Sequence, residues 1–130
     1  MAYEALDFYD IDSLLTDEER MVRDMVRDWV DEKILPNIEK ACRDGVFPDE
    51  WRVDLGEMGV LGAPLEGYGC PGLSYIAYGL ICQELERGDS GVRSFASVQG
   101  SLAMYPIWDF GSEEQKNHYL PKMTTGEWIG

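Results

Sequence analysis

Basic residues are scarce in this 130-residue sequence: 11 lysines and arginines face 25 aspartates and glutamates, which gives a net charge of −14. Such an acidic surface does not suit nucleic acid or an anionic membrane, because those partners are themselves negatively charged. There is one histidine, and no apolar run reaches the ~18 residues of a membrane span. We therefore expect no nucleic-acid partner, no membrane partner and no metal site built on histidine.

Cysteine is equally sparse. Cys42, Cys70 and Cys82 are odd in number and include no C-x-x-C pair, so the sequence predicts neither a disulfide framework nor a zinc site. The N-terminus carries acids where a secretory signal carries bases, and it has no apolar segment. We expect an intracellular protein in a reducing compartment, either a bacterial or archaeal cytoplasm or a mitochondrial matrix.

Helical signals, by contrast, cover most of the chain. Thr16–Glu19 and Ser112–Gln115 each have the residue pattern of a capping box, which marks the start of a helix. Behind the first box, apolar residues recur every three or four positions, as on one face of an amphipathic helix. They are Val22, Met25, Val26, Trp29, Val30 and Ile34. No segment alternates strictly between apolar and polar residues, so the predicted fold class is all-α.

Proline and glycine predict the boundaries of these helices. We expect a kink or break at Pro36, helix ends at Gly45 and Gly59, an interruption at Gly100 and an end near Pro121. Residues 60–73 should form a loop. Residues 1–15 are predicted to be an extended arm, and residues 16–130 a helical domain. The apolar character of residues 125–130 predicts that this domain is cut from a longer chain.

One cation lies where helix electrostatics do not favour it. Asp89 or Ser90 is expected to cap a new helix, so Arg93 and Ser94 fall within its first turn and a half. Because a helix N-terminus carries partial positive charge, an arginine gains nothing there from the dipole. A guanidinium, a hydroxyl and free backbone amides together could bind a carboxylate. The residues alone leave a second interpretation open, in which Arg93 forms a salt bridge with Glu86 or Asp89.

Ten short segments, read together, form a familiar pattern. They are residues 14–19, 57–62, 78–80, 84–87, 89–94, 97–99, 104–107, 111–116, 119–122 and 126–127. The most specific are Leu85-Glu86-Arg87 and the run from Asp89 to Ser94. Together these segments resemble the N-terminal helical domain of the FAD-dependent acyl-CoA dehydrogenases, and within that family the glutaryl-CoA dehydrogenases.

The resemblance implies an orthogonal bundle of about five to six helices and an oxidoreductase function. In this family a glutamate removes the α-proton of an acyl-CoA while the β-hydride passes to the flavin, and the glutaryl branch then releases carbon dioxide to give crotonyl-CoA. FAD is the implied cofactor. An electron-transfer flavoprotein is the implied electron acceptor, and a homotetramer the implied assembly. The catalytic base and most of the flavin site are expected beyond Gly130, so no residue of this chain is assigned as catalytic.

The resemblance also implies roles for three residues. Arg93 and Ser94 match an arginine–serine pair that recognises the distal carboxylate of the substrate, and Glu86 matches an acid near the same pocket. Val92 stands where many relatives carry an aromatic residue, which predicts a different pocket shape. The alternatives are an acyl-CoA dehydrogenase for another acyl chain, or a non-enzymatic helical module that docks a partner through its tryptophans.

Overall fold

A computed structural model describes residues 6–130 of the chain. Seven α-helices account for most of it: α1 (Asp17–Trp29), α2 (Ile38–Asp44), α3 (Asp49–Glu57), α4 (Tyr75–Gly88), α5 (Ser90–Ser97), α6 (Tyr105–Phe110) and α7 (Glu113–Thr124). One π-helical segment (Val30–Ile34) extends α1, and another (Val98–Met104) joins α5 to α6. The seven α-helices therefore form six continuous helical stretches. With 68% of residues helical, the all-α prediction is confirmed.

The capping predictions are confirmed at both boxes. The Thr16 hydroxyl accepts the Glu19 amide at 3.2 Å, and the Glu19 carboxylate accepts the Thr16 amide at 2.9 Å. Ser112 and Gln115 make the same reciprocal pair at 3.2 and 2.9 Å. These bonds satisfy amides that the first helical turn leaves without intrahelical partners, which is why the sequence pattern locates α1 and α7 so closely.

Two predicted helix boundaries are wrong. The helix continues through Gly100, where a Cβ would approach the Gly62 backbone to 3.3 Å, so this glycine permits close packing rather than a break. Helix α7 continues through Pro121 to Thr124. Proline removes one amide donor, but Pro121 is exposed and water can satisfy the carbonyl left without it. The break predicted at Pro36 is confirmed, because the chain leaves the helix after Ile34.

Two segments outside the helices also differ from expectation. A minimal antiparallel hairpin, β1 (Glu66–Gly67) and β2 (Cys70–Pro71), lies within the predicted loop 60–73, where no strand was expected. In the predicted extended arm, Ile11–Leu14 forms a 3-10 turn. The first five residues of the arm lie outside the described part of the chain. Among the described residues, no helix is long and apolar enough to cross a membrane.

The main core lies between α4 and α1 with its π-helical extension, and α3 and α5 contribute further buried residues to it. The apolar stripe of α1 supplies much of it, since four of its six residues are buried and only Met25 is exposed. The buried apolar residues of this core are Val26, Trp29, Val30, Ile34, Trp51, Leu55, Val60, Leu61, Ala63, Ile81, Leu85, Val92 and Ala96. A smaller cluster around Met104 and Leu120 fixes α7 against the second π-helical segment.

A buried carboxylate also joins α1 to α4. Glu84 is 1% exposed, and its two oxygens accept Arg27 Nη2 at 2.8 Å and Arg87 Nε at 2.9 Å. Arg87 also pairs with Asp31 at 2.8 Å. Burial alone would raise the pKa of Glu84, but the hydrogen bonds and charges of the two arginines lower it below its ordinary value. Glu84 is therefore ionised and doubly bonded in the folded state.

Replacing this carboxylate tests its contribution. Glu84→Gln should lower the free energy of unfolding by about 2 kcal/mol at neutral pH, since it removes charge-assisted bonds to two guanidinium groups. The lowered pKa means that the carboxylate stabilises the fold above pH 4.5, its ordinary value, and that this stabilisation is lost as the pH falls below it. Urea unfolding at several pH values should show the difference from wild type shrinking under acid. Glu57→Gln, at an exposed position, is the control.

Two helical glycines should respond in opposite ways to replacement by alanine. A Cβ at Gly56 would overlap the backbone carbonyl of Thr125, whereas a Cβ at Gly79 meets nothing within 4 Å. Gly56→Ala should therefore destabilise the fold by more than about 2 kcal/mol, because α3 must move away from the end of α7. Gly79→Ala should stabilise it by about 0.5–1 kcal/mol through helix propensity. Thermal unfolding monitored by circular dichroism distinguishes the two; equal effects would contradict this packing.

Candidate functional site

The predicted site residues lie where α4 ends and α5 begins. Asp89 separates the two helices and caps α5, with its Oδ1 accepting the amides of Gly91 at 2.7 Å and Val92 at 3.1 Å. This corrects one expectation. Two of the amides predicted to be free for a ligand, those of Gly91 and Val92, are bonded to Asp89, so the side chains are the main groups left to bind an anion.

Arg93 pairs with Glu86, not with Asp89. Arg93 Nε donates to Glu86 Oε2 at 2.7 Å, and Arg93 Nη1 donates to the Ser97 hydroxyl at 3.1 Å. The second oxygen of Glu86 is also occupied, because the Ser90 hydroxyl donates to Oε1 at 2.6 Å. These four side chains, Ser90, Glu86, Arg93 and Ser97, form one connected chain of hydrogen bonds that we call the arginine cluster.

The arginine cluster leaves part of its guanidinium available. A guanidinium has five N–H donors, and two are used here, so three have no partner among the described residues. The Arg93 side chain is 35% exposed and that of Glu86 is 48% exposed, so both can reach solvent or a ligand. The bond from Arg93, followed by that from Ser90, lowers the pKa of Glu86 and keeps it ionised.

Sequence reasoning identified two members of the cluster and missed two. Glu86 and Arg93 are paired, as the salt-bridge interpretation of the sequence predicted. The Ser94 hydroxyl makes no hydrogen bond within the described part of the chain, although its carbonyl accepts the Ser97 hydroxyl at 3.2 Å. Ser90 and Ser97 were missed. A usable signal existed for Ser97, which follows Arg93 by four residues on α5 and so lies on the same face of the next helical turn. Ser90 lies beyond the break at Asp89, so helical spacing from Glu86 could not have located it.

A row of polar side chains, which we call the polar furrow, extends from the cluster along the contact between the two helices. Along α4, Tyr78, Cys82 and Glu86 recur every four residues, and they are matched by Arg93, Ser97 and Ser101 on the opposite helix. The Tyr78 hydroxyl and the Ser101 hydroxyl are 3.3 Å apart at the far end of the furrow. Burial raises the pKa of both Tyr78 and Cys82, and the Arg93 charge partly opposes this at each.

Two cavities adjoin these elements. At the Tyr78 end of the furrow, a cavity of about 260 Å³ is lined by Pro64, Leu65, Tyr75, Tyr78, Gly100, Ser101 and Tyr105. A more open apolar groove of about 570 Å³ is lined by Val98, Leu102, Ala103, Ile107, Tyr119, Met123, Trp128, Ile129 and Gly130. None of these nine lining residues is basic. In residues 6–130 no three histidine, cysteine, aspartate or glutamate side chains come together as metal ligands.

Comparison with known proteins places this fold in a family. Residues 16–127 match the family model described as acyl-CoA dehydrogenase, N-terminal domain. A Mycobacterium smegmatis glutaryl-CoA dehydrogenase, solved in complex with FADH2, is 49% identical with a TM-score of 0.92 over 96% of this chain. The butyryl-CoA dehydrogenase of Megasphaera elsdenii is 30% identical with a TM-score of 0.82 over 96% of the chain. A probable acyl-CoA dehydrogenase of Bacillus subtilis is 37% identical over 119 residues, or 89% of the chain.

The chain therefore belongs to the acyl-CoA dehydrogenase family, in which it corresponds to the N-terminal domain. It spans about a third of these relatives: 32% of each of the two solved chains and 31% of the Bacillus protein. The resemblance inferred from its motifs is confirmed. The arginine cluster lies within the part matched by the family model.

The three cysteines provide a test of the furrow's burial. Cys42 is exposed, whereas Cys70 and Cys82 are partly buried and burial raises the pKa of both thiols. Alkylation requires an accessible thiolate, so iodoacetamide near pH 7.5 should modify Cys42 first and Cys82 much later. Peptide mass spectrometry over a time course gives the order. Modification of Cys82 as fast as Cys42 would show that the furrow is open to solvent.

Proposed function

We propose that this chain is the N-terminal domain of an FAD-dependent acyl-CoA dehydrogenase that oxidises glutaryl-CoA and releases carbon dioxide to form crotonyl-CoA. The observation that carries the proposal is the arginine cluster, an oriented guanidinium with unused donors at one end of a polar furrow. The 49% identity to a glutaryl-CoA dehydrogenase supports the same substrate. In this proposal the domain forms one wall of the acyl pocket and selects the substrate.

The chemistry of the cluster suits a terminal carboxylate. Glu86 and Ser97 hold Arg93 at Nε and at one hydrogen of Nη1, which leaves three N–H donors, two of them on Nη2. These groups can donate charge-assisted hydrogen bonds to a carboxylate. Ser94 lies on the next position of α5 and would supply a further donor from its hydroxyl. An acyl chain that ends in a methyl group gains nothing from these groups.

Anchoring the far end of the substrate also determines where its reacting carbons lie. A fixed carboxylate limits how far the acyl chain can slide or rotate, which lowers the entropic cost of reaching the reactive arrangement. The residues of this chain thus bind and orient the substrate. The groups that remove the proton are proposed to lie in the remaining two thirds of the enzyme.

FAD fits this chain poorly as a complete site. Its pyrophosphate needs donors or positive charge, and none of the residues lining the larger apolar groove is basic. We propose that the rest of the enzyme holds most of the cofactor. An electron-transfer flavoprotein as electron acceptor, a homotetrameric assembly, and a bacterial cytoplasm or mitochondrial matrix as location belong to the same proposal.

The Glu86–Arg93 salt bridge also favours a second candidate function. If it only joins α4 to α5, the domain would serve an acyl-CoA dehydrogenase for an uncharged acyl chain, as in the butyryl-CoA relative. A non-enzymatic interaction module is a further alternative. Reading the gene beyond the codon for Gly130 tests it, since a stop codon would favour the module and a long continuation the enzyme.

The substrate proposal is tested by Arg93→Ala in the full-length flavoprotein. Loss of a charged partner for the carboxylate should lower kcat/KM for glutaryl-CoA by roughly 30-fold or more. kcat/KM for butyryl-CoA should change by less than about threefold, because that chain does not use the guanidinium. Steady-state assays with both thioesters and an artificial electron acceptor give the two ratios.

Arg43→Ala is the matched control. Arg43 also pairs with a glutamate, Glu39, but on the exposed surface of α2. It should leave both substrates unchanged, because exposed pairs contribute little. Equal losses on glutaryl-CoA and butyryl-CoA in Arg93→Ala would contradict the proposal and support a purely structural salt bridge.

A further inference from the structure

We propose that Ser90 is a positioning residue that keeps the Arg93 guanidinium open to the substrate carboxylate by occupying the second oxygen of Glu86. The inference rests on the proposed function, in which Arg93 binds that carboxylate. It adds a residue whose hydroxyl does not itself touch the substrate. Ser90 acts in this proposal through Glu86 alone.

The two oxygens of Glu86 have different partners. Oε2 accepts Arg93 Nε at 2.7 Å, and Oε1 accepts the Ser90 hydroxyl at 2.6 Å. A carboxylate beside a guanidinium often makes two parallel bonds instead, one from Nε and one from the adjacent Nη2. Here the second bond is absent, because Oε1 is held by Ser90 and Nη2 has no partner among the described side chains.

The free Nη2 matters because it carries two of the three N–H donors left for the substrate. If Oε1 turned from Ser90 to Nη2, Glu86 would bind Nε and one of the two hydrogens of Nη2, and only two donors would remain for the substrate. A second carboxylate would then meet a guanidinium that already has a complete ionic partner. Ser90 prevents this by fixing the carboxylate in the singly bonded arrangement.

The position of Ser90 supports this role. It is the first residue of α5, where a serine would ordinarily be explained as a helix cap. That task belongs to Asp89, whose carboxylate accepts the amides of Gly91 and Val92. The Ser90 hydroxyl is therefore not needed to start the helix. Its one hydrogen bond within the described chain goes back four residues to Glu86.

The test is Ser90→Ala in the full-length flavoprotein. It should lower kcat/KM for glutaryl-CoA by roughly fivefold to tenfold, mainly through a higher KM, and leave butyryl-CoA unchanged. Ser90→Thr retains the hydroxyl and should restore glutaryl-CoA kinetics to within about twofold of wild type. Failure of threonine to rescue would overturn the role of the hydroxyl.

Ser74→Ala is a matched control. Ser74 also donates from its hydroxyl to a carboxylate, that of Glu19, at 2.8 Å, but at the start of α4. The Ser74 hydroxyl also caps α4 by accepting the Ala77 amide at 3.0 Å, so Ser74→Ala should destabilise the domain at least as much as Ser90→Ala. The Ser74 variant should keep the wild-type ratio of glutaryl-CoA to butyryl-CoA kcat/KM. The same change in that ratio in both variants would overturn the proposal.

A double variant tests whether Ser90 acts through Glu86. Ser90→Ala should have less than a twofold effect when added to Glu86→Gln, because a neutral amide has no charge to draw it onto Arg93. An unchanged effect in that background would overturn the mechanism.

Arg93→Ala separates the two proposals. If it impairs glutaryl-CoA alone while Ser90→Ala affects neither substrate, the role of Ser90 is wrong and the proposed function stands. If Arg93→Ala fails to discriminate between the substrates, the proposed function falls and the inference falls with it.

Discussion

The burial of one ionised carboxylate constrains much of this domain. Glu84 remains charged at 1% exposure because the bonds from Arg27 and Arg87 outweigh the burial that would raise its pKa. Arg27 belongs to α1 and Arg87 to the last turn of α4, so the pair fixes the rotation of α4 about its own axis. That rotation decides which α4 side chains face α5.

Two glutamates only two residues apart on α4 show how differently the same functional group behaves in different surroundings. Glu84 points to α1, is enclosed, and has both oxygens bonded to arginines. Glu86 lies toward α5, is 48% exposed, and shares its oxygens between an arginine and a serine. In the first arrangement both carboxylate oxygens are fully used to hold two helices together, so Glu84 has a structural role. In the second, the arginine keeps unused N–H donors, so it is a candidate binding group.

Features that depend on residues close together in the sequence were predicted correctly, and features that depend on distant residues were not. The capping boxes at Thr16 and Ser112 depend on residues three positions apart, and they were located correctly. The continuity of the helix at Gly100 depends on the Gly62 backbone, which no local pattern reports. The partner of Arg93 was left open between Glu86 and Asp89 for the same reason. Only the folded geometry shows that Asp89 is committed to the amides of α5.

The acidity of the chain determines what kind of recognition is possible at the cluster. An acyl-CoA with a terminal carboxylate is strongly anionic, and a domain of net charge −14 repels it at long range. At physiological ionic strength that repulsion is screened beyond about 8 Å, so attraction must come from direct contact. Arg93 is itself paired with Glu86, and the pair is nearly neutral from a distance. In the proposed function, selection of a carboxylate therefore depends on the direction of the free N–H donors more than on net charge, and the residues that orient the guanidinium contribute to it.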